Sequence, residues 1–353
     1  MSDTIRGENE TPSPSQSPKG MPPKRDRLTI PAAVALTLLI LVFNLLPPLS
    51  DGLGLSLYTV LSMAAVGVLF ACSDNKWLAL LMPLSYFAAL LICGNAMNAL
   101  SSLLAFPGGY ALALAIRQKK GKSHAVASMT LLTLAVWILI LLIRMIPALP
   151  ENGSLLTAVR DTLSAFPDGL RAMFLDPLST VEGTLTDEAK MAYTASIEAM
   201  IPLLTVSLPA MAALTMMAVC YLAASVSVLL MKGLCPARLP ARPWGIALSA
   251  PAAVLYLFAF SAYAFSALFS SKVGVFYALT LNLVLIFLPG FAIVGGKTLL
   301  HRLRHSEGGG RRTVFVVFLI FFLVFNFYYL LYLTAIYGAG RTVSQALEKK
   351  FRH

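Results

Sequence analysis

A small set of polar side chains sits inside long apolar runs of this chain. Asn95, Asn98, Arg144, Glu198, Asn282 and Asn326 lie in or at the ends of such runs, with Asn44, Ser101, Ser102 and Tyr328 beside them. Polar groups at membrane depth are costly, so they mark either a binding pocket or interhelical hydrogen bonding. Arg144 has two readings: a guanidinium that snorkels to the interface, or one that meets an anionic group in a pocket. Glu198 either starts a helix or joins that pocket. Known catalytic patterns are missing from the sequence: there is no Gly-x-Ser-x-Gly and no His-Glu-x-x-His, so no catalytic residue is assigned and the chain is read as a non-enzyme. His301 and His305 share one helix face at metal-binding spacing, but they stand among Arg302, Arg304, Arg311 and Arg312, and a solvated basic loop is the reading taken. No metal and no cofactor is expected. Gly295-Gly296-Lys297-Thr298 resembles the end of a phosphate-binding loop, yet Phe291 stands where the leading glycine belongs and no strand precedes it.

The elements that carry these residues follow from composition. Of 353 residues, 58% are hydrophobic and 12% charged, half the charge of an ordinary soluble domain. An all-α polytopic transmembrane bundle is therefore expected. Runs of about 20 apolar residues suit a bilayer core of about 30 Å. Nine such segments are read: Leu28 to Leu46, Leu53 to Cys72, Trp77 to Cys93, Met97 to Ile116, Ala125 to Ile146, Met200 to Met231, Ile246 to Leu268, Gly274 to Val294 and Thr313 to Tyr337. Residues 1–27 are rich in Pro and Ser and are read as a disordered tail. Residues 28–232 form a six-span unit, residues 233–340 three further spans, and residues 341–353 a short basic tail. The first run starts late and lacks a cleavage site, so it is read as a retained span.

The net charge of +11 invites a nucleic-acid reading until the charges are placed. Alternate connections carry 18 of the 27 Lys and Arg residues, whereas Pro47 to Gly52 and Gly94 to Ala96 carry none. The positive-inside rule then puts the N-terminus in the cytoplasm of a bacterial plasma membrane, with the lipid bilayer as partner and no nucleic acid. One cluster conflicts: nine spans from an inside start leave Arg341, Lys349, Lys350 and Arg352 outside. Either the last apolar segment turns back near Asn326 or a span is miscounted. The loop 148–199 carries eight acidic and three basic residues and faces outward on this orientation. Its helical-period apolar residues, interrupted at Asp168-Gly169 and Asp176-Pro177, predict short surface helices or a lid over an outward pocket. Prolines and glycines within spans, such as Pro107-Gly108-Gly109, Pro209 and Pro289-Gly290, predict broken helices of the kind that border transporter sites.

The ordering of these features resembles the YybS-like family of bacterial predicted membrane proteins, a domain of unknown function. The matching passages are the spans from Leu28 to Ile116 with the Arg117-Gln118-Lys119-Lys120 exit, the Pro209-containing span ending at Lys232, Leu239-Pro240-Ala241-Arg242-Pro243-Trp244, and Leu281-Asn282-Leu283 running to Pro289-Gly290-Phe291-Ala292. That family is in turn distantly similar, over its first six spans, to S-components of energy-coupling-factor transporters. The resemblance implies a six-helix capture unit working with a membrane coupling protein and separate ATPases. The Ala-x-x-x-Ala docking seam of S-components is missing, since Leu36, Thr37 and Leu39 follow Ala32, Ala33 and Ala35 at that spacing. The expected function is binding of a small molecule or lipid and participation in its transport, with no ATPase of its own. The alternative is a membrane scaffold or regulatory partner of another membrane protein.

Overall fold

The computed structural model describes residues 28–45, 57–73, 75–149, 154–180, 186–239, 246, 248–269, 274–304, 317 and 327–351. Among them all regular structure is helical. In chain order the helices are α1 (Ile30–Leu45), α2 (Leu57–Cys72), α3 (Leu81–Cys93), α4 (Ala96–Ala99), α5 (Ala105–Arg117), α6 (Lys122–Met145), α7 (Leu155–Thr180), α8 (Asp187–Leu234), α9 (Ala250–Phe269), α10 (Val275–Arg304) and α11 (Phe327–Phe351). Among the described residues four helical stretches are long and apolar enough to cross a bilayer: Ala96–Arg117, Lys122–Met145, Glu188–Leu234 and Val275–Arg302. Ile30–Phe43, Leu57–Cys72, Trp77–Cys93 and Ala250–Ser266 are shorter apolar helices. The ninth expected span falls largely outside the described residues.

Two buried cores organise the bundle. The first gathers α1, α2, α5, α6 and α8 around α2, eleven of whose sixteen residues are buried. Small residues let the backbones approach: a Cβ on Gly108 would come within 2.6 Å of the Met63 sulfur, and one on Gly109 within 2.9 Å of the Met63 carbonyl. Pro107-Gly108-Gly109, read in the sequence as a break, lies in the first turn of α5 and serves this packing. Pro suits this early position because its fixed φ matches the helix, although the N–H that would bond to the Leu103 carbonyl is lost. The second core joins α9, α10 and α11 around Tyr256, Val284, Phe291, Ala335 and Ala339.

Helix directions in the second core follow from its contacts. Tyr263 of α9 stacks on Tyr277 of α10 at 5.5 Å, while Leu248 just before α9 reaches Gly290 well along α10. Phe260 meets Tyr332 at 5.9 Å, and the start of α9 lies beside Val343, Ala346 and Leu347. The α9 helix is thus antiparallel to both neighbours, and α10 and α11 run parallel. They cross at Gly295 and Gly338, where a Cβ on either glycine would overlap the partner helix's backbone.

The polar loop expected at 148–199 is largely helix. The α7 helix runs unbroken through Asp168-Gly169 and Asp176-Pro177, and α8 begins at Asp187, thirteen residues before the expected span. Packing of α7 against α8 outweighs the local breakers. Thr186 caps α8 by accepting the Ala189 N–H at 3.3 Å. At 48 residues α8 is roughly 72 Å long, more than twice the hydrocarbon thickness.

Candidate functional site

The polar groups of the first core concentrate where the chain turns between α3 and α5. Gly94 ends α3 in the left-handed conformation at φ 61°, which glycine adopts without penalty. Asn95 then caps α4, its Oδ1 accepting the Met97 N–H at 2.8 Å. The tighter 3₁₀ segment Leu100–Leu104 follows, ahead of Pro107, whose missing N–H leaves Leu103 without its α-helical donor.

Into this irregular stretch α6 sends Arg144. Its Nε donates to the Met97 carbonyl at 3.2 Å and a terminal nitrogen donates to Ser101 Oγ at 3.0 Å. Ser101 in turn donates to the Asn98 carbonyl at 2.7 Å. The guanidinium therefore satisfies backbone freed by the helix break, and among the described residues no carboxylate pairs with it. Ser102 on the same segment and Ser85 on the adjacent α3 bury hydroxyls without partners. The structure thus brings Asn95, Asn98 and Arg144 to one turn of the bundle.

Glu198 is engaged elsewhere. Arg171 on α7 donates through Nε to both Glu198 oxygens at 3.1 and 3.2 Å, and through another nitrogen to Asp168 at 2.7 Å. Hydrogen bonding to Glu198, then to Asp168, raises the Arg171 guanidinium above its ordinary value. The acid whose partner was open in the sequence fastens α7 to α8 across the Asp168-Gly169 step.

Asn282 has the most demanding environment of the five that are described. Its Oδ1 accepts the Ala210 N–H at 2.8 Å while its Nδ2 donates to the Val206 carbonyl at 2.8 Å and to the Ala278 carbonyl at 2.7 Å. Val206 and Ala210 are the i and i+4 partners of one helical hydrogen bond, next to Pro209 in α8. The amide of α10 is therefore spliced into the ladder of α8, a recognised cause of a kink. Asn326, like His305, lies outside the described residues.

Other expectations resolve structurally. Gly295, in the stretch resembling a phosphate loop, lies inside unbroken α10 and packs on Gly338. His301 is exposed, and no group of three or more His, Cys, Asp or Glu side chains converges among the described residues. One buried charge was not singled out from sequence: Lys122 donates to Ser225 Oγ at 2.9 Å and lies 3.7 Å from the centre of the Tyr221 ring. Its position at the end of a basic connection reads as topology, and only the fold places an aromatic ring opposite it.

The fold and these sites define an all-α protein whose long apolar helices are compatible with membrane insertion. No family model, curated protein or solved structure matches the chain.

Proposed function

We propose that this is a multi-pass bacterial plasma-membrane protein that captures an anionic small molecule or lipid headgroup at the outer end of its first core and takes part in its transport, drawing any ATPase from a partner. The observation that carries the reading is Arg144: a guanidinium on a membrane helix, held by a carbonyl and a hydroxyl with no carboxylate partner among the described residues. Ser101 and Asn98 present the adjoining polar surface, and the orphan hydroxyls of Ser85 and Ser102 lie on neighbouring elements. A six-helix capture unit of this kind is what the resemblance to S-components implies.

The orientation belongs to the same proposal. Parallel α10 and α11 gather the basic end of α10 and Arg341, Lys349 and Lys350 at one end of the bundle, which the positive-inside rule assigns to the cytoplasm. On this reading the C-terminal basic cluster lies on the cytoplasmic side with the basic end of α10.

The test is thermal stabilisation of the purified full chain by a panel of anionic and neutral solutes and lipids, comparing wild type with Arg144→Gln. Stabilisation by an anionic compound that falls at least tenfold in apparent affinity in the variant supports the reading. No stabilisation by any compound, or stabilisation indifferent to the variant, overturns it. A scaffold role is favoured by one observation: at 48 residues α8 is longer than a bilayer crossing requires, and it packs against α7, which carries Asp161, Asp168 and Asp176. Native-membrane crosslinking from Arg160→Cys on α7 that recovers a stoichiometric partner unrelated to transport would select that role.

A further inference from the structure

Between α9 and α11 lies an apolar groove of about 600 Å³, lined by Pro251, Val254 and Phe258 on one side and Val343, Ala346 and Leu347 on the other. Its walls are helical stripes: 251, 254 and 258 repeat at helical spacing, as do 343, 346, 347 and then Lys350. The basic side chain therefore continues the groove's own face one turn beyond its apolar floor. Lys349 stands beside it, and both are exposed, with no carboxylate paired to either among the described residues. The nearest acid in sequence, Glu348, is occupied by Arg341 at 3.6 Å and by the Ser344 hydroxyl at 3.2 Å. An apolar channel running along the helices, ending in two ammonium groups at the bundle's basic end, has the polarity of a phospholipid: a chain inside the bilayer and a negative headgroup at its surface.

We propose that this groove holds an acyl chain of an anionic phospholipid from the leaflet at the C-terminal end of α11, with its phosphate at Lys349 and Lys350. The site is remote in sequence from Arg144 and on a different core, so the inference does not rest on the capture reading. Its physical basis is that juxtamembrane lysines attract anionic headgroups, whereas the groove alone would accept the chain of any lipid.

The experiment is native mass spectrometry of the full chain released from neutral detergent after incubation with phosphatidylglycerol or with phosphatidylcholine of the same acyl chains. Wild type is expected to retain phosphatidylglycerol preferentially. Lys349→Gln with Lys350→Gln should lower phosphatidylglycerol retention by about fivefold for each lysine and leave phosphatidylcholine unchanged. Ala346→Phe, which fills the groove, should lower retention of both lipids. Should the Phe variant fail to fold, the smaller Ala346→Val takes its place in the groove test. Loss of preference in the lysine variant without any effect of a folded Ala346→Phe would mean surface attraction only and overturn the proposal. So would equal retention of both lipids by wild type, or a disulfide-linked dimer formed through Ala346→Cys, which would make a second copy the occupant.

Discussion

The two cores are built from different materials. The first packs alanines and glycines, with Ala64, Ala65, Ala105, Ala113, Ala115, Ala125, Ala223 and Ala224 all buried around α2. The second is aromatic, with Tyr256 and Phe291 rings 5.1 Å apart and Phe260, Tyr263, Phe287 and Tyr332 packed around them. In lipid, water expulsion gives no drive between helices, so association rests on close contact and on polar groups with no better partner. Small residues achieve contact by bringing backbones together; large rings achieve it by filling space, and they leave polar tips to be satisfied. Yet the tightest approach lies in the aromatic core, at Gly295 and Gly338. There a single small-residue crossing fixes α10 against α11 while the rings pack both against α9.

That contrast is broken most severely at the crossing. Gly295→Leu cannot be absorbed by rotamer changes, because the obstructing atoms are the Thr334 carbonyl and the Gly338 amide. The expected cost exceeds about 3 kcal/mol, and the variant should melt far below wild type or fail to accumulate. Gly108→Ala meets instead the flexible end of Met63 and the Thr133 hydroxyl, and should cost less, about 1–2 kcal/mol. Melting curves in detergent for the two variants rank the crossings. Equal losses would show that backbone and side-chain obstruction are not distinct here.

Asn282 is the polar tie between the regions. Asn282→Leu frees Val206 and Ala210 to close their own helical bond, so its cost should stay near ~1 kcal/mol, within the range for interhelical hydrogen bonds in membranes. Asn282→Asp keeps the shape but sets a carboxylate against the Val206 and Ala278 carbonyls, and should cost about 2–4 kcal/mol. A leucine variant worse than the aspartate variant would mean that packing rather than the amide holds α10 against α8.

These effects also mark how far the sequence could be read. Apolar runs exposed the helices, since each of the first eight segments overlaps helix among the described residues, although only four of those helices are long enough to cross a bilayer, and the Asn and Arg residues were singled out because polarity at membrane depth is conspicuous. Partner choice was hidden. Glu198 lies on a part of α8 that its own polarity disguised as loop, and its partner Arg171 sits 27 residues away. Asn282 is bound to backbone 72 residues distant, through groups that carry no side-chain signature. The parallel run of α10 and α11 was equally hidden, because hydropathy records that a segment is apolar and says nothing of its direction.

A smaller test separates ring packing from ring polarity. The Tyr256 hydroxyl is buried without a partner in the aromatic core. Tyr256→Phe retains the ring stack on Phe291 and removes an unsatisfied group, so it should be neutral or stabilise by up to ~1 kcal/mol. Destabilisation beyond that would reveal a partner for the hydroxyl and make the second core a polar site as well as a packed one.

The smallest effect belongs to the hairpin outside both cores. Arg171, Asp168 and Glu198 are solvent-exposed, and exposed ion pairs are screened by water and salt even when their geometry is good. Arg171→Gln should leave the melting temperature of the whole chain unchanged at physiological salt. It should nevertheless speed amide hydrogen exchange in α7 around Asp168-Gly169, where the guanidinium bridges a stretch containing Pro167 and Gly169. The division between the two readouts is the point of the test. A global loss of stability would tie the hairpin into the first core through α8, whereas a local change alone would leave the two cores as the sole determinants of the fold's stability and α7 as an appendage that can move without disturbing either.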